Sequence, residues 1–267
     1  MSGLIGVIHL PPLPGSPCFE GRVEGLVDGV MRDAEALSAA AFDGVIIENF
    51  GDAPFFPHAV PPVTVAAMTR CAVAVQNAAP QLRLGVNVLR NDVRAALAIA
   101  AALDGAAMVR ANVHVAARVT DQGIIEGRAH ETLRLRRELG LAKTQLWCDV
   151  DVKHSAALEG HPRSVFEMTR ETIGRGLADA VLVTGEGTGA SVADEVVGAA
   201  LQAADGAPVY AASGVVPEAL EALMRPRGER RLAGVIVGSW LREGGRAGGP
   251  IDPDRALRFA AAYRRVR

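Results

Sequence analysis

The chain has 267 residues, of which 49% are apolar and 22% charged, with a formal net charge of −2. This balance excludes a disordered chain, and the near-neutral charge, with no basic stripe interleaved with aromatics, argues against a nucleic-acid partner. The length is close to that of one (β/α)8 barrel, about 250 residues, and aromatics make up only 4%, as suits helices packed on buried parallel strands.

Apolar runs alternate with helical patterns from end to end. A strand Leu4–His9 precedes a helix over Val23–Ala40. A second strand, Gly44–Glu48, leads through a Pro-rich loop to a helix Val63–Ala78. Leu82–Val88 is followed by a helix from Asp92 to Leu103, for which Asn91 or Asp92 is a good N-cap. Ala106–Val113, a loop, and a helix Arg128–Leu139 come next. Thr144–Val152 leads to a helix around Ser164–Gly174, and Ala180–Thr184 to Val192–Ala204. Pro208–Ala212 is followed by Pro217–Met224, and Gly234–Gly238 by a final helix Pro253–Arg264. Eight strand–helix units without a linker or composition break predict one domain over residues 1–267, an α/β fold with parallel strands.

An open doubly wound sheet would alternate in the same way. It would carry G-x-G-x-x-G after its first strand, where this chain instead has the stiff His9-Leu10-Pro11-Pro12-Leu13-Pro14-Gly15-Ser16-Pro17. A single (β/α)8 barrel is the expected fold. Cys18, Cys71 and Cys148 have no paired spacing, which predicts three buried thiols in a reduced cytoplasmic compartment. The apolar run Leu4–Leu10 is too short for a signal peptide. The Ala-rich stretch Ala95–Val109 is broken by Asp104 and Gly105, well short of the roughly 20 residues of a membrane span.

Polar residues gather where the strands end. Residues of equal parity share a face of a strand, and the outward face of a barrel strand packs on helices. Asp149, Asp151 and Lys153 alternate with Cys148, Val150 and Val152, and Arg110 and Asn112 with Val109, Ala111 and Val113. His9, Glu48 and Asn87 close the first three strands. All are expected to point inward at the C-terminal rim, where barrel active sites are built. Unpaired buried charge is costly, so the cluster should hold a ligand, a metal or a tight internal network. Glu48, Asp149 and Asp151 can accept protons or hold a divalent ion. Lys153 can meet an anion or, desolvated, serve as a base or Schiff-base amine. Arg110 suits a carboxylate or phosphate fork. His9, Asn87, Asn112 and His154 complete the expected substrate contacts, with His154 opposite in phase to Lys153.

Ser213-Gly214 and Gly238-Ser239 close the last two strands with small residues. Barrels commonly hold a phosphate there, on backbone N–H groups and a helix N-terminus. The glycine-rich Thr184–Gly189, with Gly185, is a further phosphate candidate. Asn49–Phe56 reads as a loop over the rim, in which Asp52 is expected to serve a turn. No metal-ligand spacing links His58, His114, His130 and His161, so the cofactor stays open, a divalent ion among the alternatives.

Several segments together resemble the BtpA/SgcQ family: His9–Pro17, Glu48–Phe55, Gly85–Asp92, Thr120–Gly127, Asp151-Val152-Lys153-His154 and Val183-Thr184-Gly185. The likeness spans nearly the whole chain. It implies a (β/α)8 fold near the ribulose-phosphate-binding barrels. One member of the family is linked to photosystem I biogenesis, and another occurs among bacterial carbohydrate-utilisation genes. At Glu218 the chain departs from the family pattern, placing an acid close in sequence to the expected phosphate site.

Three functions fit these residues. The first is an enzyme acting on a phosphorylated sugar or nucleoside-like small molecule, with phosphate on the last two strand ends and acid–base chemistry by Glu48, Asp149, Asp151 or Lys153. Isomerisation, aldol-type cleavage and glycosidic-bond chemistry all meet that description. The second is a non-catalytic assembly factor. The third is a metal-dependent hydrolase, for which no two-His ligand pair accompanies the carboxylates. The Ala-rich helices leave a homo-oligomer open.

Overall fold

The structure, a computed structural model, describes residues 3–103, 105–158, 163–185 and 192–267. Its strands in chain order are β1 (Gly3–His9), β2 (Gly44–Glu48), β3 (Arg83–Asn87), β4 (Met108–Ala111), β5 (Ala117–Thr120), β6 (Gly123–Glu126), β7 (Gln145–Val150), β8 (Ser155–Ala157), β9 (Ala180–Thr184), β10 (Val209–Ala212) and β11 (Gly234–Val237). The helices are α1 (Val23–Ala39), α2 (Pro62–Ala78), α3 (Val93–Ala102), α4 (Ala129–Glu138), α5 (Val165–Gly174), α6 (Asp194–Ala203), α7 (Leu220–Met224) and α8 (Pro253–Val266). Eight strands close into a parallel barrel in the order β1-β11-β10-β9-β7-β4-β3-β2.

Strand periodicity sorts the side chains into two cores. Leu4, Ile8, Val45, Ile47, Val86, Val109, Cys148 and Val181 face outward and pack with the helices. Ile5, Val7, Ile46, Met108, Leu182 and Ile236 face inward and fill the barrel around Trp147 and Tyr210, whose rings stack at 4.3 Å. Helix α1 presents Leu26, Val30, Asp33, Ala34 and Leu37 to the barrel, the spacing of one helical stripe. Full burial of each large apolar member contributes roughly 1.5–3 kcal/mol. The seam is tight: a Cβ on Gly234 would lie 1.9 Å from the Gly3 carbonyl oxygen, so only glycine lets β11 meet β1.

Local signals act as expected at α3, where Asp92 is the N-cap and accepts from the Ala95 N–H at 2.9 Å. At α5, Ser164 and Glu167 form a reciprocal capping box. Three expectations need correction. The fifth barrel strand stops at Val150, because Asp151 takes a left-handed φ of 57° and breaks the alternation. The segment before α4, expected to be a loop, folds into the antiparallel pair β5–β6. Strand β8 joins it from the loop after β7, making a three-stranded sheet at the rim. Cys71 and Cys148 are buried, but Cys18 is exposed, because it lies in the loop after β1 and not in a strand or helix of the core. Among the described residues no helix is long and apolar enough to cross a membrane.

Candidate active site

Register brings the first three polar residues level. His9 pairs with Glu48 across β1 and β2, and Glu48 with Asn87 across β2 and β3. Strand parity turns these side chains inward above the apolar floor, with Arg110 and Asp149 beside them. His9, Glu48, Asn87, Arg110, Asn112 and Asp149 are all buried.

The six form a directed network. The Gly248 N–H donates to His9 Nδ1 at 3.0 Å, so the neutral ring carries its proton on Nε2, which lies 3.4 Å from Glu48 Oε1. Burial pulls the His9 pKa below its ordinary value, against the opposing pull of Glu48. Phe50 stacks on the same ring at 4.5 Å. Burial works against the Glu48 charge, but the hydrogen bond from His9 and the charges of Arg110 and Lys153 outweigh it. They hold the carboxyl far below the usual carboxylate range. Asn87 Nδ2 donates to Glu48 Oε2 at 3.0 Å, and Arg110 Nη1 stands 3.9 Å from that oxygen. Arg110 forks onto Asp149 through Nε at 3.2 Å and Nη2 at 3.1 Å, and Asn112 Nδ2 donates to Asp149 at 2.6 Å.

Two hollows meet at this network. The inner one, about 190 Å³, is walled by Glu48, Arg110 and Lys153 together with Ser213, Gly214, Gly238 and Ser239. Ser213 and Gly214 have φ of 76° and 64°, a turn that suits the glycine, and Ser239 opens a short 3-10 turn. The outer hollow, about 410 Å³, shares Glu48, Arg110 and Lys153 with the inner. Asn87, Asn112, Phe50, Phe55, Arg90, Asp121 and His154 complete most of its wall. Lys153 therefore stands where the two join. Burial lowers its pKa, with Glu48 opposing, and among the described residues no carboxylate lies within ion-pair distance of it.

Not every expected residue reaches the cavity. Asp149 is wholly enclosed and spent on Arg110 and Asn112. Asp151 was expected to share its inward face. The left-handed turn instead leaves it half-exposed, paired with Arg118 of β5 and lining neither hollow. His154 also has a positive φ, and this carries it to the outer hollow beside Lys153. Gly185 lines neither hollow, and residues 186–189 of its glycine-rich loop lie outside the described residues, as does His161. Asp52 locks its own loop, accepting from the Leu13 N–H at 2.8 Å and from Asn49 at 3.0 Å. Gly51 is required there, since a Cβ would sit 2.3 Å from Pro12 N. Glu218 lines a separate hollow with Glu221 and Arg265 and does not line the one walled by Ser213, Gly214, Gly238 and Ser239. Among the described residues no group of three or more His, Cys, Asp or Glu side chains is gathered to hold a metal ion.

Two arginines escaped the sequence reading. Arg90 donates to the Lys153 carbonyl at 2.7 Å and so fixes the turn that carries the amine. Arg242, 2% exposed, donates to the carbonyls of Gly238 at 2.6 Å, Val7 at 3.0 Å and Gly249 at 3.0 Å. It ties β1 to the turn at Gly238-Ser239 and to the loop that holds His9, and burial pulls its pKa down to about 10. Arg90 lies three residues past the strand-end Asn87, within reach of a rim search. Arg242 follows Gly238 in a loop with no periodicity, where nothing marked it.

Residues 1–265 match the model of the BtpA family. The "Photosystem I biogenesis protein BtpA" of Synechocystis sp. is 42% identical over 97% of this chain and 87% of its own length. An uncharacterized protein of Pyrococcus furiosus is 40% identical over 95% of this chain and 91% of its own. Among solved structures, the phosphoribosyl anthranilate isomerase of Thermus thermophilus superposes with a TM-score of 0.56 over 99% of both chains. At 15% identity, that likeness concerns the fold.

Proposed function

This chain belongs to the BtpA family, and from the chemistry of its rim we propose that it is an enzyme acting on a phosphorylated sugar or nucleoside-like small molecule. One observation carries the reading: the two phosphate-type turns share a single hollow with an ionised carboxylate and a desolvated amine. The phosphate sits on the backbone of Ser213-Gly214 and Gly238-Ser239, facing Arg110 and Lys153. Helix-like turn starts and small residues favour an oxyanion there.

The reacting carbon lies at the join of the hollows. Lys153, whose lowered pKa raises its neutral fraction, is the base or the Schiff-base amine. Glu48 stays ionised and steadies positive charge, held in that state by the Nε2–H of neutral His9 and by Arg110 and Lys153. Asp149 acts through Arg110, and Asp151 through the small rim sheet. Isomerase, lyase and glycosidic-bond chemistries all use this set, and the protein supplies it in the cytoplasm.

A thermal-shift screen of phosphorylated sugars and nucleotides, with and without a divalent ion, tests the proposal. Ligand at about 100 times its Kd adds roughly 2.7 kcal/mol of stability. The expected result is stabilisation of the wild type and none of Ser239→Asp, whose carboxylate repels phosphate. Equal stabilisation of both would remove the phosphate assignment. A second reading, an assembly factor, is favoured by the name of the Synechocystis relative. It predicts that Glu48→Gln leaves biological function intact.

A further inference from the structure

Two side chains that wall the outer hollow carry buried acceptors that no described protein group satisfies. Asn87 Oδ1 and Asn112 Oδ1 both lack a hydrogen-bond partner, on residues only 1% and 3% exposed. Neither amide is free to turn over. Asn87 Nδ2 is held by Glu48 and Asn112 Nδ2 by Asp149, and a flip would set a carbonyl against a carboxylate in each case. The carboxylates beneath thus consume the donors and leave two carbonyl oxygens on side chains that wall the hollow. A buried acceptor left unpaired is costly, so such a pair is retained where a ligand supplies the donors.

The rest of the wall narrows the donor type. Arg90, Arg110 and Lys153 line the same hollow against the carboxylates of Glu48 and Asp121. A cationic donor would meet three like charges. Neutral O–H groups meet none. Phe50 and Phe55 add flat apolar surface on which the carbon face of a ring can pack while its hydroxyls reach the amide oxygens.

We infer that the outer hollow is a hydroxyl-reading subsite, in which Asn87 Oδ1 and Asn112 Oδ1 accept from hydroxyls of a polyhydroxylated ring. Its position rests on the proposed phosphate lobe: a phosphate monoester of a sugar spans both hollows, with its hydroxyl-bearing part over Asn87 and Asn112. These two residues set specificity by contact with the substrate, and Asp149 and Glu48 fix which end of each amide is presented.

Calorimetric titration of the full chain separates this inference from the one beneath it. The probes are inorganic phosphate, butyl phosphate, a panel of pentose and hexose monophosphates, and the corresponding free sugars. At least one sugar phosphate should bind the wild type about tenfold or more tightly than butyl phosphate, which presents no hydroxyl to the two acceptors. Asn112→Leu should erase that preference while inorganic phosphate binds as before. Equal binding of butyl phosphate and every sugar phosphate overturns the inference, and this comparison needs no variant to fold. A preference that survives in folded Asn112→Leu and Asn87→Leu also overturns it. If no phosphorylated probe binds, the phosphate reading fails by itself. The subsite then stands if a free sugar binds and Asn112→Leu abolishes that binding, and falls if no sugar binds.

Discussion

Asp149 and Asp151 are two positions apart and have the same chemistry, yet their surroundings give them opposite energetic roles. Asp149 is enclosed with Arg110, so Asp149→Asn removes the forked partner of a buried guanidinium and leaves it facing Glu48 at 3.9 Å. Breaking such a pair from one side costs about 3–5 kcal/mol, which urea denaturation should register. Asp151 faces Arg118 with its side chain 54% exposed, and Asn tolerates its left-handed backbone. Asp151→Asn should therefore change stability by less than about 1 kcal/mol. Equal losses in the two variants would contradict this division of labour. The buried histidines set a pH dependence. Burial lowers the pKa of both His9, which faces Glu48, Arg242 and Lys153, and His114, whose Nε2 meets the Gly176 carbonyl and which faces Arg136 and Asp179. Each folded-state pKa lies below the unfolded value of about 6.5, so the unfolded chain binds more protons. Stability is then full above about pH 6.5 and falls as pH drops below it. Tm should decline from about pH 7.5 to about 5.5, and less steeply in His114→Asn, since the His114 ring bonds to the Gly176 carbonyl and not to the rim network. A flat wild-type profile would mean that these rings are not held neutral.

At the level of elements, caps and loop locks tie the helices to the rim. Asp92 caps α3 through one carboxylate oxygen and accepts the Val60 N–H at 2.8 Å through the other. Asp92→Ala loses a cap and orphans a buried amide, which should cost about 2 kcal/mol. Asn91→Ala spares the cap and removes only the hydrogen bonds to Val113. A comparison of melting temperatures checks the difference. Asp92 was legible in the sequence because a cap is a local matter of residue type before an apolar period. The inward set His9, Glu48, Asn87, Arg110, Asn112 and Asp149 was legible too, since alternation alone assigns their face. The small rim sheet was not. Its strands are four, four and three residues long, too short to show a period, and β8 pairs with β5 from a distant loop. The turn at Asp151 was hidden for another reason: a left-handed aspartate is uncommon, and nothing nearby in sequence demands it. That turn misplaced Asp151, moved His154 to the cavity and concealed the role of Arg90, which acts on the backbone of the turn.

In the whole molecule, the rim is only as exact as the barrel beneath it. His9, Glu48 and Asn87 stand level because the registers of β1, β2 and β3 are locked, and the floor under them is Trp147 stacked on Tyr210. Arg110 pairs in register with Trp147 across β4 and β7, and Asp149 follows Trp147 on the same face. The indole therefore supports the charged pair from below, and its N–H is satisfied by Gln145 at 2.9 Å. Trp147→Ala would open a void at the barrel centre and should cost about 3–5 kcal/mol. The loss would not stop at stability. A loosened floor lets Arg110 and Asp149 shift relative to Glu48, so the rim loses its fixed spacing while the turns at Ser213 and Ser239, carried by β10 and β11, keep theirs. Trp147→Phe, which keeps an aromatic ring on Tyr210 and gives up the hydrogen bond to Gln145, should lose less than half as much. Urea denaturation measures the first effect. Titration with inorganic phosphate and with a sugar phosphate measures the second. The expected pattern in Trp147→Ala is phosphate affinity close to wild type and weakened discrimination among sugar phosphates. Loss of both together would place the floor beneath the entire cavity, and loss of neither would uncouple the barrel core from the rim.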